Sequence, residues 1–128
     1  MQSKKERNKL RREYYRRNRE HTIKVQKEWT TSHMEKVNEM NKRRRERNYA
    51  FIIALKDQPC ADCGHKFPHY IMEFDHVHGE KKCTVTSLQG SGITLILKEA
   101  EKCDVVCANC HRTRGWVRQQ LKNGGKTI

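Results

Sequence analysis

Apolar residues are sparse in the first part of the chain and recur at helical spacing there. Met34, Val37 and Met40 lie three residues apart, and residues 49–55 form the most apolar run of this part. Side chains three or four positions apart share one face of a helix, so the pattern predicts helices over residues 1–56. Ser32 and Glu35 have the spacing of a capping box, which predicts a break near residues 29–32 and a second helix from about His33.

The second part of the chain predicts short strands that alternate with helices and turns. Met72 and Phe74 alternate with Glu73, as in a strand that buries one face. Ile93, Ile96, Leu97 and Ala100 have helical spacing instead. The predicted strands cover residues 70–77, 82–87 and 104–106, and the predicted helices cover residues 93–102 and 109–122. The predicted fold class is therefore α+β.

Charge separates the same two parts. Residues 1–56 carry 18 Lys and Arg against 7 Asp and Glu, whereas residues 57–128 carry 10 against 8. All six cysteines, all seven glycines and both prolines lie in the second part. We therefore expect a basic helical arm over residues 1–56 and a folded domain over residues 57–128. The alternative for residues 1–30 is a solvated, partly disordered charged tail.

The composition favours a nucleic acid as partner. The net charge is +13 and the sequence pI is about 9.7, which favours binding to a polyanion, although a merely basic protein is the simpler alternative. No stretch approaches the roughly 20 apolar residues of a membrane span, and the N-terminus has no secretory signal. We therefore expect a cytoplasmic protein without a membrane partner.

Two Cys-x2-Cys motifs predict a structural metal. Cys60 and Cys63 form the first pair and Cys107 and Cys110 the second. Four thiolates bind Zn²⁺ tetrahedrally and leave no open position for a substrate, so the predicted role is structural. Binding would contribute about 10–16 kcal/mol to folding. This compensates for a chain with only 34% hydrophobic residues. Cys83 and Cys103 are best interpreted as small buried thiols.

A second site is predicted from residues that lie between and just after these pairs. Asp75 and His76 end the strand predicted over residues 70–77, and His111 directly follows Cys110. Asp75 and His111 could bind one divalent ion, while His76 points to the other side of the strand. A neutral histidine has a pKa suited to a general base near pH 7, although an Asp-His pair in a strand is more often structural.

Residues 59 to about 118 resemble the HNH endonucleases, in the small cysteine-bearing group common in phages and mobile elements. The runs that carry the resemblance are CADCG, MEFDHVHGEKK and EAEKCDVVCANCHRTR, which occur in the family's order. It implies a ββα-metal fold around one catalytic ion, held together by a four-cysteine zinc site. It also implies that His76 is the general base, Asp75 the first ligand of the ion and His111 the ligand at the start of the helix.

The family's middle residue has no clear counterpart. Many members have an asparagine about five residues before the second cysteine pair, which orients the strand of the base. Lys102 occupies that place here, followed by Cys103, and Asn109 lies inside the second pair. Asn109 could take over this role in part or could only cap the helix.

The resemblance implies that the protein hydrolyses DNA phosphodiester bonds and leaves 5′-phosphate ends. The catalytic cofactor would be Mg²⁺, Mn²⁺ or another divalent ion. Basic residues around the site and in the arm are candidates for binding phosphate, with a solvated surface as the alternative. They are Arg112, Arg114, Arg118, Lys82, Arg43, Arg44 and Arg45.

Two other functions are compatible with the residues. The first is a zinc-containing DNA-binding module without catalysis, in which the arm would bind the duplex. The second is an accessory factor for phage packaging or recombination, whose helices would pair with another chain. Neither requires Asp75, His76 and His111 together. The sequence does not specify the base specificity, the number of strands cut, the oligomeric state or the biological task.

Overall fold

The computed structural model describes residues 2–124, which form five α-helices, two β-strands and one 3₁₀ helix. The helices are α1 (Lys4–Arg17), α2 (Arg19–Ser32), α3 (Met34–Leu55), α4 (Ile93–Ala100) and α5 (Ala108–Lys122). The strands are β1 (Met72–His76) and β2 (Cys103–Cys107), and the 3₁₀ helix is Val85–Gly90. The α+β class is confirmed. None of the described helices has the length and apolar character needed to cross a membrane.

Three helices, instead of the predicted two, cover residues 4–55. The additional break lies at Asn18, whose side-chain amide and backbone N–H both donate to the carbonyl of Tyr14. The second break lies at His33, but no capping box forms there, because the Ser32 hydroxyl donates back to the carbonyl of Trp29. The capping box occurs instead at Ser3 and Glu6, which exchange hydrogen bonds at the start of α1.

The chain forms two compact units that divide within α3, after Asn41. The predicted division into an arm over residues 1–56 and a domain over residues 57–128 stays a prediction. We call residues 1–41 the N-terminal unit and residues 42–128 the C-terminal unit. The end of α3 belongs to the second because Ile52, 1% exposed, packs with Val85 and Ile96. The buried Asn48 also donates to the carbonyls of Gln89 and Ser91, both at 2.7 Å.

The sheet lies in the C-terminal unit and is antiparallel. Met72 pairs with Cys107 at one end, Asp75 with Asp104 near the other. Met72 and Val106 are almost fully buried and pack with Cys60 and Cys107 in one apolar cluster. Phe74 contacts this cluster and also the second one around Ile52, so the sheet connects the two.

The prediction of a strand over residues 82–87 is wrong, because this segment contains a 3₁₀ helix instead. The Lys82 N–H donates to a side chain, the carboxylate of Glu99, and not to a neighbouring strand. Val85 is buried against Ile52 and Ile96, and the Ser87 hydroxyl donates to the carbonyl of Thr84. The short run around Val85 is compatible with a strand or with a turn, so its pattern alone does not predict the conformation. The chain adopts the 3₁₀ helix, in which Val85 is buried.

Candidate functional site

The four cysteines of the two pairs lie together. Their sulfur atoms lie within 4.8 Å of one another, so the group could hold a metal ion such as zinc. Cys60 and Cys63 lie on the turn that ends at Gly64, whose positive φ favours glycine. Cys107 ends β2 and Cys110 lies in the first turn of α5.

Backbone hydrogen bonds join the first pair to the second. The Ala61 N–H donates to the carbonyl of Val105 at 3.0 Å, which attaches the first turn to β2. The Cys107 N–H donates to the sulfur of Cys60 at 3.2 Å. Cys107 is also the N-cap of α5, and its sulfur accepts from the Cys110 N–H. These bonds bring the sulfurs together, and N–H donors stabilise thiolates.

The pKa values of Cys60 and Cys110 reflect the hydrogen bonds and the neighbouring sulfurs of this group. Burial opposes ionisation of Cys60, but backbone N–H groups of Cys63 and Cys107 outweigh it and lower its pKa to about 6. The neighbouring sulfur of Cys107, together with burial, raises the pKa of Cys110 to about 12. Four thiolates this close repel one another unless a cation neutralises them, so metal binding would release protons.

The other two cysteines lie outside this group. Cys83 and Cys103 are both partly buried. The Cys103 thiol donates to the carbonyl of Glu99, and burial raises its pKa to about 11. The thiol therefore stays protonated at neutral pH and packs as a small, partly buried side chain, close to its predicted interpretation.

Asp75 is buried and bound by two arginines. It is 3% exposed, and Arg118 donates to both of its carboxylate oxygens, at 2.7 and 2.6 Å. Arg114 donates to Oδ2 at 2.8 Å. The hydrogen bonds from Arg118 outweigh burial and, together with those from Arg114, lower the pKa of Asp75 to about 2. The carboxylate is therefore ionised at neutral pH.

Arg114 joins three aspartates. Besides Asp75 it binds Asp104, at 3.0 Å, and Asp62, at 2.6 and 2.7 Å. Asp75 and Asp104 are directly opposite across the sheet, where two like charges would repel without a cation between them. The same side chain thus connects the first cysteine turn, the sheet and α5. The predicted role of Arg114 in binding phosphate stays a prediction. Its guanidinium already donates to three carboxylates, which a phosphate would have to replace.

His111 lies beside Asp75. Its Nε2 is 3.4 Å from Oδ1 of Asp75, and its Nδ1 contacts Oε2 of Glu73. Glu73 and Asp75 share one face of β1, because residues two apart in a strand point the same way. The contact of Nδ1 with Glu73 leaves Nε2 directed toward Asp75.

His76 faces away from Asp75, as the alternation of a strand requires. Its Nε2 is 2.9 Å from Oε1 of Glu99 in α4. His76, His111 and Glu73 nevertheless line one cleft of about 300 Å³, together with Lys56 and Lys81. The two histidines that the sequence selected therefore meet at a common cleft, and each is paired with a carboxylate that the sequence did not select.

Neither candidate for the family's middle residue contacts His76. Lys102 donates to Oε2 of Glu99 at 2.8 Å and to the carbonyl of Glu80 at 2.9 Å. Asn109 is exposed in the first turn of α5, where its carbonyl accepts from Thr113. Asn109 does not cap the helix, because the cap is Cys107.

The remaining basic candidates lie at the surface. Arg112, Lys82 and the three arginines of α3, Arg43, Arg44 and Arg45, are exposed. Arg44 also donates to the carbonyl of Gly90 at 3.4 Å. Exposed side chains can reach a phosphate backbone, so their predicted role stays a prediction.

Sequence reasoning missed Glu73, Glu99 and Asp62. The first two lie in runs that carry the family resemblance, but spacing along the chain gave no sign that they would reach His111 and His76. Asp62 lies between two cysteines, and its position in the sequence does not indicate the contact with Arg114. The one available signal was the presence of 8 Asp and Glu in residues 57–128. Some of these carboxylates could be expected to pair with Arg114 and Arg118.

Comparison with protein-family models, curated proteins and solved structures finds no match to this chain.

Proposed function

We propose that the protein is a metal-dependent endonuclease of the HNH type that hydrolyses phosphodiester bonds of DNA. The observation that carries the proposal is the 3.4 Å distance between His111 Nε2 and Asp75 Oδ1. His111 also lines one cleft with His76. In this assignment β1, β2 and α5 are the ββα unit, and residues 1–56 are a basic arm that binds the duplex.

Zinc at the four cysteines would have a structural role. Four protein ligands complete a tetrahedral site and leave no position for a substrate. The cysteines lie at the start of the first turn, the end of β2 and the start of α5. An ion held there fixes the strand that carries Asp75 relative to the helix that carries His111.

Asp75 and His111 would hold the second, catalytic ion. A carboxylate and an imidazole suit Mg²⁺, Mn²⁺ and other divalent ions. Such an ion supplies charge stabilisation at the phosphate and at the departing 3′ oxygen. Glu73 would keep His111 oriented, with a hydrogen on Nδ1 and a free lone pair on Nε2.

The chain's own residues would carry out the remaining steps. His76 accepts a proton from water, and the resulting hydroxide attacks phosphorus in line with the leaving oxygen. Arg112 and Lys82 bind neighbouring phosphates. Arg118 donates to both oxygens of Asp75, so an ion held by Asp75 would compete with this guanidinium for the carboxylate. The exposed side chain of Arg118 would then be available to the DNA backbone.

Nicking of supercoiled plasmid with Mg²⁺ or Mn²⁺ tests the proposal. We expect the intact protein to cut and His76→Ala to lose about 10²–10⁴-fold in rate, the usual effect of removing a general base, while it still binds DNA. His78→Ala is the matched control, because this exposed histidine lies two residues away. Equal cutting by the intact protein and His76→Ala would contradict the assignment.

A DNA-binding module without catalysis is the second candidate. The observation that favours it is the binding of Arg114 and Arg118 to Asp75, which satisfies that carboxylate without an ion. The same assay separates the two functions. A module binds the plasmid and leaves it uncut with every divalent ion, and its His76→Ala variant behaves in the same way.

A further inference from the structure

A buried carboxylate lies at the centre of the contacts around His76. Glu99 is 4% exposed. Its Oε1 lies 2.9 Å from His76 Nε2 and accepts from the Lys82 N–H at 3.1 Å, while its Oε2 accepts from the Lys102 ammonium at 2.8 Å. The hydrogen bond from Lys102 outweighs burial and, with the Lys82 N–H, lowers the pKa of Glu99 to about 2. Glu99 is therefore ionised at neutral pH.

An ionised carboxylate only accepts hydrogen bonds, and this determines the state of His76. The short contact with Glu99 requires a hydrogen on Nε2 of His76. A neutral imidazole carries one hydrogen, so Nδ1 then has a free lone pair. A histidine in this tautomer can accept a proton at Nδ1 only, and the carboxylate stabilises the imidazolium that forms.

We propose that Glu99 is the positioning residue of the general base, a role that rests on the proposed nuclease function. Glu99 holds the hydrogen of His76 on Nε2 and so leaves Nδ1 to take the proton from water. The water oxygen forms a bond to phosphorus, the bond from phosphorus to the 3′ oxygen breaks, and that oxygen is protonated by solvent. The proton on Nδ1 then returns to solvent.

Ile96 offers a control for a purely structural role. It lies in the same helix as Glu99, is fully buried and packs against Ile52 and Val85. If Glu99 only anchored α4 to its neighbours, Ile96→Val, which loosens that packing, and Glu99→Gln should have similar consequences. If Glu99 orients the base, only Glu99→Gln should impair the chemical step.

Steady-state nicking kinetics of zinc-loaded protein with Mn²⁺ test this difference. We expect Glu99→Gln to lower kcat by about 10²–10⁴-fold with little change in KM, and Ile96→Val to leave kcat within about three-fold. Thermal unfolding of both variants shows whether each is folded. An unchanged kcat in Glu99→Gln, or equal losses in the two variants, would overturn the proposal.

A second measurement does not depend on any variant. Nitrogen-15 NMR of the histidine side chains in the intact protein reports the tautomer of His76, and we expect the hydrogen on Nε2. A hydrogen on Nδ1 would overturn the proposal even if Glu99→Gln failed to fold. If His76→Ala is inactive while Glu99→Gln cuts normally, only the role of Glu99 fails. If the intact protein does not cut, the proposed function fails and this role with it.

Discussion

The N-terminal and C-terminal units are stabilised in different ways. In the N-terminal unit, α1 and α2 contain no buried residue, and their stability depends on local features such as the capping box of Ser3 and Glu6. In the C-terminal unit, two apolar clusters, the four cysteines and the carboxylates around Arg114 join residues far apart in the chain. Local features form a helix, but only long-range contacts form a site.

Removal of a zinc ion bound at the four cysteines should have the largest effect, and only on the C-terminal unit. A zinc-loaded protein treated with a strong chelator should lose the dispersed NMR signals of β1, β2 and α5, because structural zinc supplies about 10–16 kcal/mol. Signals of α1 and α2 should remain. Cys107→Ser should behave like the chelated protein, and Cys83→Ser like the intact one. If the dispersed signals of β1, β2 and α5 survived chelation, the C-terminal unit would not depend on the metal and this difference between the units would be contradicted.

A cavity in the second apolar cluster should have the next largest effect. Ile96 is fully buried. Ile96→Ala should therefore lower the free energy of unfolding by about 2–5 kcal/mol in urea titrations. Leu10, 51% exposed, is the matched position in the N-terminal unit. Its truncation in Leu10→Ala should change that free energy by about 0.5 kcal/mol at most. Similar losses in both variants would show that the N-terminal unit has a core of its own.

Deletion of residues 1–30 should affect DNA binding more than stability. This segment carries 11 Lys and Arg. Each phosphate contact that is lost should reduce the slope of log K against log salt by about 0.9, so binding should weaken and depend less on salt. Fluorescence anisotropy with a labelled duplex measures both quantities. An unchanged slope would exclude the N-terminal helices from the DNA interface.

Loss of the N-terminal cap of α1 at Ser3 should have the smallest effect on stability. Ser3→Ala removes the side chain that accepts from the Glu6 N–H. The loss should cost α1 about 1 kcal/mol, seen as fraying of its first turn by amide hydrogen exchange. Because α1 buries nothing, the temperature at which the C-terminal unit unfolds should not change. A lower unfolding temperature there would show that the two units are coupled.

The same contrast explains which features could be predicted from the sequence. The spacing of Cys60, Cys63, Cys107 and Cys110 predicted their association, and periodicity predicted β1 and α4. These features follow from neighbours in the chain.

Most of the failures have long-range causes. The 3₁₀ helix over Val85–Gly90 was missed because its conformation depends on Ile52, Ile96 and Glu99. The partners of His76 and His111 were missed because Glu99 and Glu73 reach them only after the strands pair. The break at Asn18 had a local signal, since asparagine competes for backbone hydrogen bonds inside a helix.

The central claim is that Asp75 and His111 bind a second divalent ion on a scaffold held by zinc. Titration of zinc-loaded protein with Mn²⁺, followed by electron paramagnetic resonance, tests it most directly. We predict one bound Mn²⁺ in the intact protein and in His78→Ala, affinity at least about 10-fold weaker in His111→Ala, and unchanged zinc in all three. Intact protein that binds no Mn²⁺, or His111→Ala that binds it equally well, would contradict the account.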